Sequence, residues 1–143
     1  MAEFQAVIFE LAGVPYGINI LQVQEIMRMV EITPVAQADL AMEGIVNLRG
    51  HVIPVINLSR RLGLTKREKN LDTRVVVVEI GEKKIGLVVD RVLEVGKYKE
   101  SDVEKADIIG NDGDCISGFV IKEGSIWCLL NISSLSKDDY LKN

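Results

Sequence analysis

The sequence predicts an all-β protein made of two repeated halves. Three observations carry that reading. Val and Ile together supply 34 of 143 residues, and β-branched side chains fit a pleated surface better than a helix. The apolar runs are short, and Gly, Pro, Asn or Asp bounds each of them, which is the pattern of many strands joined by tight turns. Two blocks of sequence also recur in the same order.

The strands are expected, along the chain, over residues 7–11, 45–48, 52–58, 75–80, 85–89, 119–121 and 126–132. Arg49-Gly50-His51 separates the second and third runs and predicts a tight hairpin. Gly81-Glu-Lys-Lys84 and Lys122-Glu-Gly-Ser125 predict two more. Helix is scarce: the candidates are 36–42, a turn at 59–62 and a short C-terminal helix over 133–141. The stretch 20–29 reads equally as helix or strand.

The repeat has two offsets. A shift of 69 lays residues 8–26 on 77–95 without a gap, with Glu10/Glu79, Gly17/Gly86, Val23/Val92 and Glu25/Glu94 identical. A shift of 74 lays 44–59 on 118–133, with Gly44/Gly118, Val46/Val120, Gly50/Gly124, Asn57/Asn131 and Ser59/Ser133 identical. The five-residue difference is an insertion within 96–117, where Asn111-Asp-Gly-Asp114 makes one inexpensive. A duplicated unit of roughly 60–70 residues is small for independent folding, and closing it as a barrel removes exposed strand edges. The expectation is one domain over 1–143 containing two subdomains, approximately 14–71 and 72–135, that share an apolar seam. Whether terminal strands cross between the barrels stays open.

Composition excludes several functions. The net charge is −4, against the clustered cations that bind a phosphate backbone. The basic group Arg60, Arg61, Lys66, Arg67, Lys69 has no interleaved aromatics and reads as a solvated loop. No apolar run approaches the ~20 residues of a membrane-crossing helix, and the N-terminus lacks a signal-peptide pattern; a cytoplasmic protein is expected. His51 is the single histidine, and Cys115 and Cys128 stand apart from it, so no metal set or nucleophile–base pair forms in sequence. Phosphate-binding glycine loops and a nucleophile elbow are missing. Asp107, Asn111, Asp112 and Asp114 lack the spacing of a calcium loop. The expectation is a monomer with no cofactor and no enzymatic activity, whose grooves and apolar rims bind other proteins. Arg49, at a turn between two apolar strands, is a candidate contact, because arginine forms bidentate bonds to carboxylates.

Three strings then carry a resemblance. Gly17-Ile-Asn-Ile-Leu-Gln-Val-Gln-Glu-Ile26, Ile32-Thr-Pro-Val35 and Gly44-Ile-Val-Asn-Leu-Arg-Gly-His-Val-Ile-Pro-Val-Ile-Asn-Leu58 resemble the CheW family of bacterial chemotaxis adaptors. Arg74-Val-Val-Val-Val78, Ile85-Gly-Leu-Val-Val-Asp-Arg-Val-Leu-Glu-Val95 and Ile116-Ser-Gly-Phe-Val120 continue it in order, over nearly the whole chain. Asn57 stands where the family usually has Asp, and Val35-Ala36 follows Thr33-Pro34 where a second Pro is common.

The resemblance implies two SH3-like five-stranded barrels on a shared core. It implies an adaptor coupling the cytoplasmic signalling tips of transmembrane chemoreceptors to the regulatory domain of the histidine kinase CheA, recruited to receptor arrays. Another receptor–kinase pathway, such as surface motility, is the alternative. At 143 residues only the adaptor module is expected, without kinase or receiver domains. By motif, the receptor-binding residues are Val23, Glu25, Gly44 and Arg49, with Val88 and Val89 expected to line an apolar groove. For Glu25 a purely structural role stays open, because its repeat mate is also a glutamate. The kinase contact is placed around Val30, Ile32, Thr33 and Val35, with a second contact through the other barrel.

Overall fold

Apolar alternation over short runs becomes eleven strands in the computed structural model, which describes residues 3–36, 41–65, 68–105 and 115–133. They are β1 (Glu3–Leu11), β2 (Val14–Asn19), β3 (Val23–Arg28), β4 (Met42–Leu48), β5 (His51–Asn57), β6 (Arg74–Ile80), β7 (Lys83–Val89), β8 (Arg91–Lys99), β9 (Val103–Lys105), β10 (Ile116–Lys122) and β11 (Ser125–Leu130). One helical turn, α1 (Leu58–Arg61), and 3-10 turns at Ile20–Gln22 and Glu100–Asp102 complete the named elements. The ambiguous stretch 20–29 resolves into the first 3-10 turn and β3. Of the expected helix at 36–42, residues 37–40 lie outside the described residues and Met42 opens β4. The expected C-terminal helix and the cluster Asp107–Asp114 also fall, from 134 onward and at 106–114, outside them.

The hairpin turns are tighter than the sequence suggested. Ala12-Gly13, Arg49-Gly50 and Glu123-Gly124 are two-residue turns with both residues at positive φ, the geometry whose twist matches paired strands. His51 therefore opens β5 rather than sitting in the turn, and it is exposed.

Two sheets result, in the orders β8-β1-β2-β11-β10-β9 and β3-β6-β7-β5-β4. Each curls into a barrel because one stretch of chain reaches both edges. In the first sheet β8 and β9, at opposite edges, are consecutive and joined by the 3-10 turn Glu100–Asp102. In the second, the chain leaving β3 returns to β4 through a two-hydrogen-bond bridge between Thr33 and Ile45. That bridge is the counterpart of β9, so both barrels rest on five full strands.

Sheet membership corrects the expected division at 71/72. Under the repeat offsets β1 matches β6, β2 matches β7, β3 matches β8, β4 matches β10 and β5 matches β11. The first half's β1–β2 hairpin nevertheless pairs with β8 and β11, and the second half's β6–β7 hairpin pairs with β3 and β5. Each half gives its leading hairpin to the other half's barrel. The links explain the handover. After β2, Asn19 accepts a hydrogen bond from Leu21 N and turns the chain. After β7, Asp90 N donates to Glu10 O, while an Asp90 carboxylate oxygen accepts from Ala12 N. Both links turn the chain directly into the opposite sheet.

Three apolar clusters follow. The largest lies between the sheets and draws on both halves: Phe9, Leu11, Tyr16 and Ile18 meet Ile56, Leu58, Val76, Val78, Ile85, Leu87, Val89, Leu130 and Ile132. Smaller clusters fill each barrel, one around Ile8, Trp127 and Leu129 and one around Val46, Val55, Val75 and Val77. The repeated asparagines end equivalent strands: Asn57 Oδ1 accepts from Arg60 N and caps α1, and Asn131 Oδ1 accepts from Ser133 N. The amide at 57 also donates to Glu43 Oε2 at 2.9 Å, a bond an Asp there has no proton to make when ionised. Among the described residues no helix is long and apolar enough to cross a membrane, and no cluster of His, Cys, Asp and Glu is arranged to hold a metal.

Candidate functional site

Glu25 and Arg49, 24 residues apart, form a bidentate ion pair: Nη1 to Oε1 at 2.5 Å and Nη2 to Oε2 at 3.4 Å. β3 supplies the carboxylate and the β4–β5 turn supplies the guanidinium. Asn47 Oδ1 accepts from Gly50 N at 2.9 Å and braces that turn. A bulge shapes β3, with Val23 opposite Val78 but Glu25 opposite Val77. The bulge shifts the phase of the strand. Val23 stands opposite Val78 and packs on the shared core, Ile26 stands opposite Val76 but is exposed, and Glu25 is carried to the rim of the barrel. The pair remains open to solvent, with side-chain exposures of 73% for Arg49 and 27% for Glu25, so it stabilises the isolated chain by less than ~1 kcal/mol.

The repeat tests whether this pair is merely part of the fold. The mates of Glu25 and Arg49 are Glu94 and Glu123. Glu123 occupies the same left-handed turn position as Arg49, at φ 51° against 52°. Two carboxylates make no ion pair, yet the second barrel closes equally well. A barrel of this kind therefore closes without such a pair.

The other sequence-predicted residues divide by burial. Val23 is partly buried and packs on the shared core. Gly44 is a positioning residue: a Cβ there would lie 2.2 Å from Thr33 O, with φ at +149°. Its mate Gly118 is needed for the same reason, since a Cβ would lie 2.6 Å from Glu104 O of β9. Gly44 thus lets the segment holding Val30, Ile32, Thr33 and Val35 lie against β4. Val30, Thr33 and Val35 are exposed there, and Ile32 packs inward on the core of its barrel.

The groove expected from Val88 and Val89 is corrected. Val89 is fully buried in the shared core and Val88, at 5% exposure, lies in the core of the five-stranded barrel. β7 is a central strand covered on both faces, so neither side chain reaches a partner. The exposed apolar residues near the site are instead Ile26 and Val52, which the sequence reading did not single out. Ile26 could have been found from the break in alternation after Val23, and Val52 from its place opposite the polar Asn47.

On β4, the Glu43 carboxyl is perturbed. Burial pushes it up, but hydrogen bonds from Lys69 and Asn57 and the charges of Lys69 and Arg60 outweigh that and hold it below its usual value. Lys69 Nζ lies 2.8 Å from Glu43 Oε1 and ties the connector between the repeats to β4.

The CheW-like domain family model matches residues 5–139. The chain is 33% identical over 141 residues to the chemotaxis protein CheW of Treponema pallidum, covering 93% of this chain and 82% of that one. It is 27% identical to that of Thermotoga maritima, covering 99% and 93%. The crystal structure of the scaffolding protein TtCheW from Thermoanaerobacter tengcongensis superposes with a TM-score of 0.90 at 34% identity, covering 97% of this chain and 96% of that one.

Proposed function

The chain belongs to the CheW-like family, and from that premise we propose that it couples the cytoplasmic tips of chemoreceptors to the regulatory domain of the histidine kinase CheA. It is a chemotaxis scaffold, and its work is binding rather than bond-making. The solvent-open Glu25–Arg49 pair carries the reading. A pair that contributes little to the fold and has no equivalent in the second barrel is suited to a partner. Arg49 supplies five donors in a fixed fork, and Glu25 holds that fork in one orientation beside Val23 and Ile26. A helical receptor tip lying along β3 meets apolar contacts flanked by a charge pair that sets its register. The kinase domain takes the adjoining surface of Val30, Thr33 and Val35, and Gly44 links the two surfaces by seating that segment. The protein acts in the cytoplasm, held at receptor arrays through these partners.

Arg49→Glu tests the assignment. The charge reversal lies on an exposed turn and leaves the circular dichroism spectrum unchanged. Binding to a purified receptor tip falls, while binding to the kinase regulatory domain is kept. The matched control is Glu123→Arg, at the equivalent turn of the other barrel, which leaves receptor binding intact. A folded Arg49→Glu protein with normal receptor binding would sink the assignment.

A further inference from the structure

Where the two sheets meet, the starts of β6 and β8 border an open cleft of about 310 Å³ lined by Asp72, Arg74, Arg91, Val92 and Leu93. Arg28, the last residue of β3, is paired directly opposite Arg74. Arg74 and Arg91 thus line one end of the seam, with Arg28 beside Arg74 on the neighbouring strand, in a chain whose net charge is −4. Like charges directly opposed across two strands destabilise the pairing. The molecule relieves this only in part. Arg28 joins none of the ion pairs among the described residues. Arg74 Nη1 donates to the carbonyls of Leu71 and Thr73, at 2.7 and 3.0 Å, which fixes the side chain without neutralising it. Arg91 reaches Glu10 only at 3.7 Å. Asp72 is the one acid on the cleft wall. Val92 and Leu93 add an apolar border, so the cleft suits a carboxylate carried on an amphipathic helix.

We propose that this cleft is a carboxylate-reading subsite that takes an acidic side chain of the receptor's helical tip. The inference rests on the reading that this tip lies along β3, and it adds what the tip must carry. Val23, Ile26 and Arg28 stand opposite Val78, Val76 and Arg74, alternate residues of one strand face. A helix following that face passes from the apolar contacts to the arginines. Because of the bulge, the path from Val23 to Arg28 matches only Val78 to Arg74 on the partner strand, about 13 Å, or roughly 9 residues of helix. The acidic residue is therefore expected about two and a half helical turns from the residue that meets Val23.

The test titrates the full chain with the purified signalling tip of a chemoreceptor from the same organism, at low salt. Arg28→Gln/Arg91→Gln weakens binding about tenfold, and the difference shrinks as salt screens it. A tip with its acidic residues changed to amides binds wild type and double variant equally. The kinase regulatory domain binds both forms alike. If the double variant is loosened, Arg28→Gln alone carries the test, since Arg28 joins no ion pair among the described residues. Full affinity of a folded double variant for the unmodified tip, with Arg49→Glu still weakening it, overturns the subsite and leaves the coupling function standing. Failure of the tip to bind wild type overturns both.

Discussion

Gly44→Ala puts a methyl group where the molecule has no room for one. The added Cβ would sit 2.2 Å from Thr33 O, 2.8 Å from Thr33 C and 2.9 Å from Ile32 Cγ2. Backbone, unlike a side-chain tip, does not swing aside, so the two segments must separate by at least about 1 Å to reach ordinary contact. That separation breaks or stretches the paired hydrogen bonds between Thr33 and Ile45, both 2.9 Å. Two such bonds are worth about 1 kcal/mol each, and the left-handed backbone at φ +149° adds about 1–2 kcal/mol for a non-glycine residue. The expected loss is about 2–4 kcal/mol, or roughly 5–15 °C in Tm for a chain of this size. Thermal unfolding followed by circular dichroism measures it. Two variants locate the cause. Gly118→Ala, with its Cβ 2.6 Å from Glu104 O, is destabilised similarly. Gly50→Ala, with nothing within 4 Å but φ +85°, loses only about 1–2 kcal/mol. Only Gly44→Ala displaces the segment of Val30, Thr33 and Val35, so it alone also weakens binding of the kinase regulatory domain. An unchanged Tm for Gly44→Ala would refute the close-approach argument.

Two further outcomes are expected. Residues 1–71 and 72–143 expressed separately each lack the hairpin that completes a barrel and expose half of the shared core, so each gives poor amide dispersion or aggregates, while mixing them recovers a dispersed NMR spectrum; two well-folded separate halves would contradict the hairpin exchange. Glu43 is held below its ordinary pKa, so its contribution is complete above the unfolded carboxyl pKa and disappears as pH falls through the lower folded value. Denaturant titrations should therefore find Glu43→Ala less stable than wild type by about 1–3 kcal/mol at neutral pH, with the gap narrowing under acid; a gap independent of pH would mean the charge is not the cause.

The repeat, the all-β class and the hairpins were legible because alternation and turn glycines are local signals. Which sheet each hairpin enters was not, because that depends on the parallel pairings of β2 with β11 and of β5 with β7, which join residues far apart in sequence. The duplication was therefore visible while the exchange of hairpins was hidden. Glu25 and Arg49 were legible as motif positions, but their pairing needed the bulge after Val23 and the left-handed turn at Arg49. Val88 and Val89 were misplaced for a reason the sequence did contain. Ile85-Gly-Leu-Val-Val89 is a continuous apolar run rather than an alternating one, and such runs belong to strands covered on both faces. The same rule applies to Val75-Val-Val-Val78, which is fully buried throughout. Gly44 was legible as important but not as a spacer, because its neighbour Thr33 belongs to a segment with no strand signal of its own.

Coupling requires that one copy of this chain hold both partners at once, on the neighbouring surfaces of Arg49 and of Val30, Thr33 and Val35. Sedimentation velocity on an equimolar mixture of the chain, a receptor tip and the kinase regulatory domain measures this directly. The account predicts a ternary species heavier than either binary complex, lost with Arg49→Glu while the kinase complex persists. Strict competition, with the receptor tip displacing the kinase domain and no ternary species at saturating concentrations, would contradict it.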